Sequence, residues 1–541
     1  MQDIKKIYRF VIAAIGGSLY AFAFPTKIGF FFFPGQIIGL TLLLAILIQP
    51  NPKISLKSLL ILNILLGLAF SFGYYQTGYY WIPFTVQEFG NLHPPLNYIV
   101  GILFVLVIMP HLTFFICIDS FLKKRFYQSK FIRPITVSAT IFTLLEYFIP
   151  QQFPAHLGHP WMHLAPHLGL APIFGYSVYS FISALFAFAI AKFVLERKLD
   201  FFGIFTATIL SVLSFTISLP ENKIETKKTT AVRMVQANIG NFMKVNSERG
   251  DDTSLKEIYQ RYYNLSTHGN NVGENNFKPE LIIWPETAFP EFINSSLATL
   301  DQLYTPTLLR EIVNQTGAEL FTGGYEEAKS FAGSDFNSQY NAAFLISARG
   351  VLKDYYYKIK LIPFGEGLPF GPLNRWLSNI ITNISYFASG DRFPLFETKN
   401  GVNFFSLICY EVLFPSFVRD YLNRLQGNPS FLINLTNDSW YGNTSEPFQH
   451  LFLAKWRAVE FNIPMARMTN TGITSVIYPD GHESDRIKYG DTGALDLELV
   501  TYERKITLFQ KFGIINFLLL ATITILVSLL KIPLLKDRAD V

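Results

Sequence analysis

The chain has 541 residues, half of them hydrophobic, 16% aromatic and only 16% charged, with a formal net charge of +5. That balance excludes a disordered chain and an ordinary soluble globule, and a modest charge with no separate basic stripe excludes a nucleic-acid binder. The average joins unlike parts: apolar runs from Met1 to about Pro220, a mixed polar stretch from Lys223 to about Lys505, and a last apolar run from Gly513 to about Leu535.

Taken in order, runs near residues 8–24, 29–49, 57–75, 98–119, 133–150, 170–191 and 201–219, and an eighth at 513–532, approach the roughly 20 apolar residues that span a bilayer as a helix. No small-residue cleavage site follows "AFAFPTKIG", so the first run reads as a retained span and not a signal peptide. Lys and Arg crowd alternate loops: Lys5, Lys6 and Arg9; Lys53 and Lys57; Lys123, Lys124, Arg125, Lys130 and Arg133; Lys192, Arg197 and Lys198; and the tail with Lys531, Lys536 and Arg538. The intervening loops hold Lys27 alone. Because basic short loops stay cytoplasmic, both termini are expected in the cytoplasm and the polar insert on the opposite face, which in a bacterium is periplasmic. The expected organisation is a seven-span domain at 1–220, an extracytoplasmic domain at 221–510, and a closing helix and tail at 511–541.

The insert alternates strand-like runs with amphipathic stretches. "TAVRMVQANI", "ELIIWPET", "AELFTGGY", "YNAAFLIS", "VNFFSLICY" and "SFLINLTND" read as strands, most ending in polar residues, whereas "TSLKEIYQRYYNLSTH" and "TPTLLREIVNQTG" read as helices. The pattern predicts an α/β domain with largely buried strands whose ends present polar groups.

Those ends carry a chemistry. "LIIWPETAFP" delivers Glu286, "YYYKIKLIPFGEG" delivers Lys358 and Glu366, and "LICYE" delivers Cys409 and Glu411. A carboxylate base, an ammonium and a thiol suffice for covalent acyl transfer, in which a thioester divides one hard step into two and a cation holds the oxyanion. Singly, each has a plainer reading: a small core cysteine, a helix-capping glutamate, a solvated lysine.

In order and with their flanks, "VQANI", "WPETAFP", "YNAAF", "YYKIKLIPFGE", "ICYE", "NLTNDSWYG" and "RMTNTGITSVIYPDG" resemble the Glu-Lys-Cys framework of the nitrilase superfamily. The seven-plus-one arrangement of spans around them resembles, more narrowly, the membrane-anchored apolipoprotein N-acyltransferase branch. The resemblance implies an α-β-β-α sandwich and a triad of Glu286 as base, Lys358 as electrostatic stabiliser and Cys409 as nucleophile. Supporting positions fall on Glu366, Tyr410, Glu411 and Asn341, with Trp440 beside the pocket. It further implies a ping-pong reaction without cofactor or metal. An acyl chain passes from a membrane phospholipid, commonly phosphatidylethanolamine, through a cysteine thioester to the α-amine of a diacylglyceryl-cysteine at a lipoprotein N-terminus, in the bacterial inner membrane. After "VQANI" the chain departs from the family pattern: "GNFMKVN" stands where Pro-Gln and a tryptophan are usual, with Phe242 as the substitute.

A membrane-tethered amidase and an inactive lipid-binding homologue remain as alternatives. The first leaves the spans without a purpose, and the second leaves an intact triad unexplained. The apolar stretch after Lys358 suits either a membrane-dipping loop or ordinary packing. His156, His159, His163 and His167 are spaced like metal ligands but lack a carboxylate, and read as interface residues. Asp438 and His450, near Trp440, read as pocket-shaping. Cys117 falls inside a span, far in depth from Cys409, so no disulfide is expected. Nothing suggests a symmetric interface, and a monomer is the default.

Overall fold

The computed structural model describes residues 2–90, 92–126, 134–220, 223–270, 277–293, 306–328, 339–379 and 386–536. Among the basic residues of the alternate loops, Lys130, Arg133 and Arg538 lie outside these.

The first part is a helical bundle. Two helices, Leu56–Gly78 and Ser177–Glu196, are each long and apolar enough to cross a membrane. A third crossing is offered by Leu96–Ile108 and Pro110–Arg125 together, bent by 46° at a break. Pro110 explains the break, since it has no N–H to continue the ladder of the preceding turn. Shorter apolar helices occupy Ile7–Ala21, Gly35–Ile46, Ile135–Phe148, Phe201–Thr216 and Ile514–Leu530. Packing is close where small residues permit: a Cβ on Gly17 would fall 1.9 Å from the Phe70 carbonyl oxygen, so helices Gln2–Ala21 and Leu56–Gly78 meet backbone to backbone. The outer faces stay apolar and exposed, with Ile102, Leu103, Leu106, Phe205, Val212, Leu519 and Ile523 among them.

The polar insert is a sandwich of two six-stranded sheets. The strands are β1 (Lys223–Gln236), β2 (Leu281–Ile283), β3 (Glu319–Glu327), β4 (Gln339–Ile346), β5 (Leu352–Tyr357), β6 (Phe396–Glu397), β7 (Asn403–Ile408), β8 (Phe431–Thr436), β9 (Met465–Thr469), β10 (Thr474–Ile477), β11 (Glu483–Ile487) and β12 (Gly493–Glu503). One sheet runs β12-β1-β2-β3-β4-β5 and the other β11-β10-β9-β8-β7-β6. Each has a parallel centre, β1-β2-β3 and β7-β8-β9, flanked by antiparallel strands. Parallel strands covered on both faces need apolar residues on both, which is why β2 and β8 read as unbroken hydrophobic runs.

The pleat divides these runs between two cores. Leu281 and Ile283 of β2, Phe321 of β3, and Ala343 and Leu345 of β4 join the cluster between the sheets. Ile282, Leu320, Ala342 and Phe344 join Ile258, Tyr262, Leu309, Ile312 and Val313 of helices Asp252–His268 and Thr307–Thr316 on the outer face. The two amphipathic stretches thus cover the first sheet. Helices Pro415–Arg424 and Glu446–Phe461 supply the fourth layer beside the second.

Helix Glu446–Phe461 is buried on nearly every side because it lies between the second sheet and the bundle. Trp456 Nε1 donates to the His159 carbonyl at 3.1 Å, Gln449 Nε2 to the Gly78 carbonyl at 3.1 Å, and the Tyr176 N–H to Glu460 Oε1 at 2.9 Å. One continuous core therefore runs from the bundle into the sandwich.

Candidate active site

The triad candidates converge from three strand ends. β2 stops at Trp284-Pro285, and the chain turns outward with Thr287 at φ 46°. Gly323 on β3 makes room for that turn: a Cβ there would meet the Pro285 oxygen at 2.4 Å and the Glu286 Cα at 2.7 Å. Lys358 directly follows β5, with its N–H held by the Asn341 carbonyl at 2.8 Å. Cys409 follows β7 and begins the short helical turn Cys409–Leu413 at φ 50°, left-handed backbone unfavourable to a residue with a Cβ. Such strain, about 1–3 kcal/mol, persists where surroundings over-determine it, and here it lifts the thiol off the strand axis towards the other two groups.

All three are buried. Lys358 Nζ donates to Glu286 Oε1 at 3.1 Å and to Glu366 Oε1 at 2.7 Å. Asn341 Nδ2 bridges the same carboxylates, at 2.8 Å to Glu286 and 3.3 Å to Glu366. The other oxygen of Glu286 accepts from the Asn437 N–H at 2.9 Å, and that of Glu366 from the Ile362 N–H at 2.9 Å. Burial disfavours the Lys358 ammonium, but Glu286 and Glu366, with Cys409 beside them, outweigh it and raise its pKa above the ordinary lysine value. Burial, reinforced by the Glu286 charge and opposed by that of Lys358, raises the Cys409 thiol well above its usual range. The resting thiol is therefore neutral, and its proton must leave as the sulfur attacks, with Glu286 the adjacent carboxylate.

Glu411 ties two of the three strand ends together. Its oxygens accept from the Ile359 and Lys360 N–H groups at 2.7 and 3.0 Å, from the Ile408 N–H at 2.8 Å, and from the Tyr356 hydroxyl. Burial pushes its carboxyl up to about 7, against the opposing pull of those backbone donors and of Lys358. The Tyr410 hydroxyl donates to the Gln152 carbonyl of the bundle, and Gln152 Nε2 donates to the Pro363 carbonyl beyond Lys358 at 3.0 Å. The segment after helix Ile135–Phe148 thus touches both the nucleophile turn and the lysine loop.

Trp440 lies on the helical turn Asp438–Tyr441 after β8. Asp438 accepts from Arg467 Nη2 at 3.2 Å and pairs with His450 Nδ1 at 3.2 Å, forming a buried ionic group behind the pocket. Asp438, Glu446 and His450 bring ligand-type atoms within 4.8 Å of one another, with the Arg467 guanidinium already engaged there. Of the four loop histidines, His156 and His159 stack on one another beside Tyr176, His163 stacks on Phe31, and His167 on Phe215. In the apolar stretch after Lys358, Phe364, Phe370, Leu373 and Trp376 are exposed, and residues 380–385 lie outside the described set. Phe242 is 81% exposed on helix Asn241–Glu248.

Sequence reasoning overlooked Asn437, Thr287, Gly323, Gln152 and Lys244. Asn437 was within reach of inspection, because "NLTND" ends the strand beside β7 and so opens onto the same sheet edge as Cys409. Gln152 had no local signal, since its contacts lie more than two hundred positions away.

Comparison with known proteins places this arrangement in a class. Residues 232–501, which hold the sandwich, match the carbon-nitrogen hydrolase family. Residues 16–189 match the apolipoprotein N-acyltransferase N-terminal domain. An apolipoprotein N-acyltransferase of Bdellovibrio bacteriovorus is 31% identical over 421 residues, covering 75% of this chain and 74% of the relative. One from Haemophilus ducreyi is 29% identical over 467 residues, covering 82% and 83%. The chain belongs to the apolipoprotein N-acyltransferase family. Among solved structures, an amidase from Nesterenkonia sp. is similar at 18% identity and a TM-score of 0.32, covering 52% of this chain and 93% of its own.

Proposed function

We propose that the protein moves a fatty acyl chain from a membrane phospholipid, such as phosphatidylethanolamine, to the α-amine of the S-diacylglyceryl-cysteine that begins a bacterial lipoprotein. The observation that carries this reading is a buried Glu286-Lys358-Cys409 constellation bonded through Tyr410 to a bundle with apolar outer faces. A soluble-amide hydrolase has no use for such a bundle, whereas two lipid substrates need the chemistry at the membrane edge.

In the first half-reaction Glu286 takes the thiol proton as the sulfur attacks the ester carbonyl. Lys358 faces the oxyanion, and the glycerol alkoxide leaves with the proton from Glu286, giving thioester and lysophospholipid. In the second, the lipoprotein amine attacks the thioester, Glu286 accepts its proton, and the Cys409 sulfur departs to be reprotonated. Asn341 and Glu366 hold Lys358 and Glu286 in register, and Glu411 and Tyr410 hold the nucleophile turn. Trp440 borders the acceptor path.

The eight apolar segments act as spans of the bacterial inner membrane, the shorter ones completing their crossing with flanking residues. Both ends face the cytoplasm, the catalytic domain faces the periplasm, and the protein acts as a monomer. The alternation of basic and bare loops supports this orientation.

Intact mass after incubation with defined phospholipid vesicles, without acceptor, tests the reading. The wild type is expected to gain one acyl group that hydroxylamine removes, and Cys409→Ala none. An unmodified wild type would overturn the phospholipid assignment in favour of an amidase or an inactive homologue.

A further inference from the structure

Helix Asn241–Glu248 carries Lys244 to Thr287, the residue after Glu286. Its side chain is buried, 6% exposed, and among the described residues it forms no ion pair. Nζ donates to the Thr287 hydroxyl and lies 5.7 Å from the centre of the Tyr325 ring. The two nearby carboxylates act only through space and are already engaged: Glu248 by the Tyr325 hydroxyl at 2.9 Å, Glu286 by Lys358, Asn341 and Asn437. Burying an ammonium without a contacting anion is costly, so burial lowers the pKa of Lys244 against the pull of Glu248 and Glu286, and a contacting anion would offset that cost.

A second donor opens onto the same recess. Lys244, Glu286, Thr287, Asn437 and Asn470 line it, and the buried Asn437 Nδ2 has no hydrogen-bond partner among the described residues. The amide cannot be turned to supply one. Its Oδ1 already accepts from the Ser439 N–H at 3.3 Å and from Asn470 Nδ2 at 3.1 Å, neither of which could donate to an NH2 turned into that place, so the Nδ2 end is fixed. A buried ammonium and an orphaned N–H donor beside the catalytic base call for a ligand group that is anionic and rich in acceptors.

Given the acyl transfer proposed above, on which this inference rests, the donor lipid supplies such a group on the same glycerol that carries its acyl esters. We propose that Lys244 Nζ and Asn437 Nδ2 hold the phosphodiester of the acyl donor while its ester carbonyl lies at Cys409. Lysine acts there as a compact point charge, which binds a phosphate oxygen without dictating the alcohol beyond it. The site accordingly selects phosphate over its absence and discriminates little among headgroups.

The test compares Cys409 acylation rates, by intact mass, from phosphatidylglycerol and from diacylglycerol with the same chains in detergent micelles. The wild type should favour the phospholipid by about tenfold or more, the effect of one charge-assisted hydrogen bond. Lys244→Met should bring that ratio close to one, and Lys244→Arg should restore most of it. An unchanged ratio in Lys244→Met, even with both rates lowered, would overturn the proposal and leave Lys244 a support for Thr287. So would equal wild-type rates, a comparison that needs no variant and decides the matter if Lys244→Met does not fold. A wild type that takes no acyl group from any phospholipid would instead remove the underlying reading of the site.

Discussion

Glu411 is the residue on which the relative placement of nucleophile and lysine depends. It is buried, and it collects backbone donors from both sides: Ile359 and Lys360 after β5, Ile408 before Cys409. Glu411→Gln keeps the volume but turns an acceptor into an NH2 that faces N–H groups. Each buried donor left unpaired costs about 1–3 kcal/mol. The expected outcome is a lower unfolding midpoint and a fall in acylation of about a hundredfold as the strand ends drift apart. The substitution also has a pH signature. The folded carboxyl, pushed up to about 7, binds its proton more tightly than the unfolded one. Its contribution to stability is thus fully present below the ordinary carboxyl range and is lost as pH rises through about 7. Unfolding midpoints from about pH 5 to about pH 8 should show that decline in the wild type and a smaller one in Glu411→Gln. An identical decline in both would assign it to another group.

At the scale of the strands, the site depends on a close approach that only glycine allows. β3 runs beside the turn that carries Glu286, and the missing Cβ of Gly323 leaves room for the Pro285 carbonyl and the Glu286 Cα. Gly323→Ala would put a methyl carbon 2.4 Å from that oxygen, so the turn must move by several tenths of an ångström or more. Glu286 moves with it, away from Lys358 and Asn341. Acylation should fall about a hundredfold while the sandwich stays folded, measured by adduct formation beside far-ultraviolet circular dichroism. Near-normal acylation would show that the turn has slack. The same elements mark what was legible beforehand. Strands β1, β2, β3, β4, β7 and β8 announce themselves by apolar runs that end in polar groups, and the covering helices at 252–268 and 307–316 by their period. β5 was hidden by "LKDYYY", whose burial alternates weakly. β9 to β12 were not singled out, although β9, β10 and β11 pair with their neighbours in sequence; helix Glu446–Phe461 escaped because it is buried all round by a sheet on one side and the bundle on the other, so it shows little amphipathic pattern. Glu286, Lys358 and Cys409 stood out by their flanks, whereas Asn437 and Lys244 contribute through placement that no local pattern records.

For the whole molecule the open question is orientation, and it bears on where the thioester forms. Basic and bare loops alternate along the chain, and the proposed topology, with the positive-inside rule, has Lys57 facing the cytoplasm and the sandwich the outside. Two exposed positions report on the two faces: Lys57 at the start of helix Leu56–Gly78, and Thr253 in the first turn of helix Asp252–His268. A cysteine at either can be read against a quiet background, because Cys409 is buried and Cys117 can be replaced by alanine. In intact spheroplasts a membrane-impermeant maleimide should label Thr253→Cys at once and Lys57→Cys only after the membrane is opened. The reverse pattern would invert the molecule and strand Cys409 on the cytoplasmic face, where the proposed lipoprotein acceptors are not presented. Labelling of both would mean that one of the short apolar helices between the two positions, Ile135–Phe148 or Phe201–Thr216, does not cross. The bent pair Leu96–Ile108 and Pro110–Arg125 is the other place where the count of crossings can change by one, and a change there moves every later loop to the wrong side for its charge.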